Sequence, residues 1–97
     1  MAALPFDANK LVEICRQNDV AQVSIFGSMA RGEATEQSDI DLLVQFSKRK
    51  SLLALVALER KISTALGKKV DLLTEAAISL YLRDRIKHDL RVIYEAR

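Results

Sequence analysis

The chain has 97 residues, which is enough for one compact domain over residues 1–97 and too few for two. About half of it is apolar and 29% is charged, yet the formal net charge is only +2, so electrostatics gives no case for a nucleic-acid or membrane partner. The lone thiol, Cys15, excludes an internal disulfide and a thiolate metal cluster, and the longest apolar run, Leu52 to Leu58, is too short to cross a bilayer.

Met1 to Asp7 holds no basic region followed by an apolar run, so no secretion signal is read there and a cytoplasmic location is expected. Asp7 is a candidate N-cap for a helix reaching Asn18, with Leu11, Val12, Ile14 and Cys15 at helical spacing. Val20 to Phe26 alternates Val23 and Ile25 with Gln22 and Ser24, the pattern of a strand. Gly27-Ser28 punctuates it, Met29-Ala30-Arg31 fits one short helical turn, and Glu33 to Ser38 is a polar loop. Asp39 to Phe46 reads as a second strand. Ser51 then caps the clearest helix in the chain, in which Leu52, Leu55, Leu58, Ile62 and Leu66 recur at three- and four-residue steps, and Gly67 ends it. Lys69 to Leu73 is a short third strand. Thr74 caps a final helical region with Ile78, Tyr81, Leu82, Ile86, Leu90 and Ile93 along one stripe.

The long helical connection between the second and third strands implies a crossover that leaves them parallel. The shorter link between the first two permits an antiparallel pair. The expected fold is α/β (α+β): a small mixed sheet of about three strands flanked by helices.

Three aspartates sit where strands seldom carry them. Asp39 and Asp41 lie two apart at the head of an apolar strand, so both point to one face while Ile40 and Leu42 point to the other. Asp71, inside Val70-Asp71-Leu72-Leu73, joins that face if the second and third strands are neighbours. Carboxylates so close repel one another unless a cation holds them, and an all-oxygen ligand set suits magnesium or manganese. The plainer alternative is a set of solvated aspartates at strand ends. It fits Asp39 alone better than the pair, because Asp41 is followed directly by three apolar residues.

Gly27-Ser28 follows a strand and opens a turn. Glycine admits close backbone approach to a phosphate, and the Ser28 hydroxyl and Arg31 can add a hydrogen bond and positive charge. Alone this is a weak signal. Paired with an acidic strand a dozen residues later it gains force, since metal ions bridge phosphate oxygens.

The segment Phe26-Gly27-Ser28-Met29-Ala30-Arg31-Gly32-Glu33-Ala34, followed by Ser38-Asp39-Ile40-Asp41-Leu42-Leu43-Val44, closely resembles the signature of the DNA polymerase beta-like nucleotidyltransferase superfamily: Gly-Ser, ten residues, then Asp-x-Asp. The short chain and its Val70-Asp71-Leu72-Leu73 strand look like the minimal nucleotidyltransferase branch. The resemblance implies that Gly27 and Ser28 contact a triphosphate, that Asp39 and Asp41 bind two Mg2+ ions (or Mn2+), and that Asp71 is the third carboxylate, helping to activate a hydroxyl. It further implies transfer of AMP from ATP to a tyrosine of a HEPN-domain ribonuclease toxin, with this chain as its antitoxin. The alternative is a non-catalytic antitoxin that neutralises the toxin by binding. Intact carboxylates and an intact Gly-Ser turn favour the enzyme.

Other residues are read as structural. His88 is expected to be solvated on a charged helix, Lys48-Arg49-Lys50 to form a solvated turn, and Tyr81 and Tyr94 to pack in the core. Arg83, Arg85, Lys87 and Arg91 are expected on an exposed helix face, a candidate partner surface.

Overall fold

The computed structural model describes residues 6–27, 30, 32, 39–74 and 90–96. Helix α1 (Ala8–Gln17) starts where the Asp7 carboxylate accepts hydrogen bonds from the Asn9 and Lys10 amides, and it buries Leu11 and Cys15. Strand β1 (Val20–Phe26) pairs antiparallel with β2 (Ile40–Phe46). Helix α2 (Leu52–Leu66) is capped by Ser51 Oγ, which accepts from the Ala54 amide at 3.2 Å. It stops at Gly67, whose left-handed backbone (φ +67°) lets its amide donate back to the Ser63 carbonyl. Strand β3 (Val70–Thr74) then runs parallel to β2, as a helical crossover requires.

A fourth strand, β4 (Arg91–Glu95), pairs antiparallel with β1, giving a sheet of order β3-β2-β1-β4 among the described residues. This corrects the expectation of about three strands and of a final helix carrying its stripe as far as Ile93. The Val92-Ile93-Tyr94 run is β-branched and aromatic, and pairing with β1 takes it out of the helical pattern. Ile93 and Tyr94 pack against the core as strand residues. Two boundaries also differ: β2 begins at Ile40, leaving Asp39 just before it, and Thr74 ends β3. The remainder of the expected final helix, with Tyr81, Arg83, Arg85, Lys87 and His88, lies outside the described residues.

The period-2 alternation sorts the sheet into two faces. Val23, Ile25, Ile40, Leu42, Val44, Val70 and Leu72 are buried in one core with Leu11 and Cys15 of α1 and Leu58 and Ile62 of α2. Burial there pushes the Cys15 thiol up to about 12, so it stays protonated and unreactive. The register pairs Ile40 with Val70, Asp41 with Asp71 and Leu42 with Leu72, so the two aspartates share the other face.

The outer edge of β3 is closed by α2. The Val70 amide donates to Ser63 Oγ at 3.2 Å, and the Leu72 amide donates to Glu59 Oε2 at 2.9 Å. Unpaired edge amides would otherwise face solvent or recruit a foreign strand.

Candidate active site

Asp41 is the centre of the acidic face. It is the register partner of Phe26 across β1 and of Asp71 across β3. Its pKa is raised above the usual carboxylate range, first by burial, then by the negative charges of Asp71 and Asp39 and a hydrogen bond with Asp71. Asp39 lies beside β2 rather than in it, and its Oδ2 is 3.9 Å from Lys69 Nζ in an exposed ion pair. The Ile40 amide donates to the Lys69 carbonyl at 2.9 Å, so the entries to β2 and β3 are tied together and Asp39 and Lys69 meet there.

Gly27 closes the other side of Asp41. Its φ is +73°, and a Cβ built on it would come 2.7 Å from Asp41 Oδ2, inside the contact limit. The absence of a side chain at Gly27 is therefore what leaves room for the Asp41 carboxylate. The Gly27 carbonyl accepts from the Ala30 amide at 3.1 Å, which turns the chain at the end of β1. Ser28 and Arg31, the other expected phosphate contacts, lie outside the described residues.

The structure thus brings together Gly27, Asp41 and Asp71, with Asp39 close enough to act electrostatically on Asp41. Among the described residues no three metal-ligating side chains are gathered about one point, and the Asp39 carboxylate stands against Lys69. The donor chemistry nonetheless fits a hard divalent cation: the donors are all oxygen, they come from adjacent strands, and one of them is held in a state that a cation would relieve. Sequence reasoning did not single out Lys69, Glu59 or Ser63. Only the placement of Glu59 and Ser63 four apart on a helix beside the third strand could have marked the last two.

Residues 8–93 match the nucleotidyltransferase domain family, and the chain belongs to that family. It is therefore a nucleotidyltransferase. A Methanocaldococcus jannaschii protein, provisionally named a protein adenylyltransferase, is 48% identical over 80 residues, covering 82% of this chain and 86% of its own. Among solved structures, a toxin–antitoxin complex with AMP-PNP superposes with a TM-score of 0.81 at 25% identity, covering 94% of this chain and 75% of the other. A complex of tri-AMPylated HEPN toxin with MNT antitoxin from Shewanella oneidensis has a TM-score of 0.72 at 23% identity, covering 92% and 70%, and supports the fold alone. No helix of the described residues is long and apolar enough to cross a membrane.

Proposed function

We propose that this chain transfers AMP from ATP to a hydroxyl group, a tyrosine of a partner HEPN ribonuclease toxin, and so acts as that toxin's antitoxin. One observation carries the reading: Asp41 and Asp71 stand opposite each other on adjacent parallel strands, with Gly27 cut back against the Asp41 oxygen. Support comes also from the named activity of the M. jannaschii relative and from the AMP-PNP-bound complex.

Asp39 and Asp41 would hold Mg2+, or Mn2+, with Asp71 as the third carboxylate. Bound there, the ion supplies charge neutralisation at the phosphates. Gly27 and Ser28 would lie along the triphosphate, with Arg31 adding positive charge. Asp71 would accept the proton of the attacking hydroxyl. An O–Pα bond then forms as the bond from Pα to the bridging oxygen breaks, and pyrophosphate departs with the electron pair.

The test incubates the purified chain with ATP, magnesium and a purified HEPN partner and looks by mass spectrometry for an AMP adduct on tyrosine. Asp41→Asn should eliminate the adduct while leaving the fold intact. A tight complex that forms without any adduct would replace the enzyme by the binding antitoxin.

A further inference from the structure

We infer that Glu59 and Ser63 are positioning residues for Asp71. The inference rests on Asp71 serving the proposed transfer, but its structural half can be measured without it.

The geometry is a match of two repeats. Four residues of helix rise about 6 Å and two residues of strand about 6.6 Å, so side chains at i and i+4 of a helix can reach alternate amides of a strand beside it. Glu59 meets the Leu72 amide at 2.9 Å and Ser63 meets the Val70 amide at 3.2 Å, with α2 running opposite to β3. Those two amides flank Asp71. They face away from β2, because alternate residues of a strand turn their peptide groups to opposite edges. Asp71 itself is in register with Asp41 on the inner side. The backbone is therefore gripped from α2 just before and just after the aspartate, while the sheet holds it from the other side.

An edge strand lacks a second neighbour to fix its height and tilt. Here two side-chain acceptors replace that neighbour at the one residue pair that brackets the carboxylate. Both groups are half-buried, and neither is among the residues expected to touch nucleotide or metal. Loss of the two acceptors should let β3 shift relative to β2, which misplaces Asp71 while leaving the nucleotide contacts on the β1 turn untouched.

The experiment compares the wild type with Glu59→Ala/Ser63→Ala, Ser63→Ala alone and Glu59→Gln. Readouts are steady-state AMP transfer, Mn2+ affinity by calorimetry, and amide exchange at Val70 and Leu72. In the double variant, kcat should fall about tenfold or more with the KM for ATP within about twofold, because a small misplacement of a reacting group costs rate rather than ground-state binding. Mn2+ binding should weaken and both amides should exchange faster. Ser63→Ala should show the same split to a lesser degree. Glu59→Gln keeps an acceptor oxygen and should stay close to wild type. Faster exchange at both amides with unchanged kcat and Mn2+ affinity overturns the inference, as does a Glu59→Gln variant as impaired as the double variant. If the wild type transfers nothing, the proposed function falls, and Mn2+ affinity and exchange in the variants still decide the positioning role.

Discussion

Replacing Gly27 by alanine separates two costs that the structure places on one residue. The first is backbone strain: an L-residue with a Cβ held at the left-handed φ of +73° costs about 1–2 kcal/mol. The second is collision, because the new Cβ would stand 2.7 Å from Asp41 Oδ2. That oxygen ends a side chain, so the carboxylate can swing away, and the fold should be spared most of the second cost. Gly67 is the internal control. Its φ is +67° and nothing lies within 4 Å of its would-be Cβ, so Gly67→Ala carries strain without collision. Both variants should lower the Tm by about 4–16 °C, the range that 1–2 kcal/mol implies for a domain this small. Only Gly27→Ala should reduce AMP transfer, by about a hundredfold, the scale of effect reported by a displacement of order 1 Å at a reacting group. Thermal unfolding in EDTA and a magnesium-dependent transfer assay with the same preparations give both numbers. A Gly27→Ala protein that turns over at the wild-type rate, with the same Tm loss as Gly67→Ala, would refute the claim that this glycine exists to seat the Asp41 carboxylate.

Asp41→Asn should stabilise the metal-free fold at neutral pH. The raised pKa means that charging Asp41 is disfavoured in the folded state. Its contribution to stability is fully present below the unfolded carboxylate pKa and is lost as pH rises through the folded value. Denaturant titrations in EDTA from acid to neutral pH should show the Asn variant gaining on the wild type as pH rises, and a gap that does not widen contradicts the sign. Ile62→Ala, which empties a fully buried site between α2 and the sheet, should cost about 2–5 kcal/mol by urea unfolding. Ser51→Ala removes the cap on α2 and should cost about 1 kcal/mol by the same measurement, with transfer unaffected because the cap stands at the helix end next to β2's exit, away from Asp41.

Much of the frame was legible because short-range rules govern it. A period of two put Asp41 on the face opposite Ile40 and Leu42, though it did not foresee that Asp39 would stand just outside the strand, and the long helix after β2 required β3 to be parallel, which brought Asp71 alongside. Ser51 and Gly67 marked the ends of α2. Strand β4 was hidden by its neighbourhood. Leu90 and Ile93 extend a helical spacing that begins at Ile78, and only pairing with β1, a contact between residues some seventy positions apart, overrides it. The closeness of Gly27 to Asp41 and the grip of Glu59 and Ser63 on β3 were not legible for the same reason. They depend on how elements far apart in the chain approach one another, and no local pattern encodes a distance of that kind.

Cys15 gives the protein its own gauge of breathing. With its sulfur sealed beneath α1 and no other thiol in the chain, a maleimide or disulfide reagent can act only during excursions that expose the core. The labelling rate therefore counts those excursions directly, without an added fluorophore. Repeating the count with nucleotide present would tell an experimenter how strongly ligand clamps the domain shut.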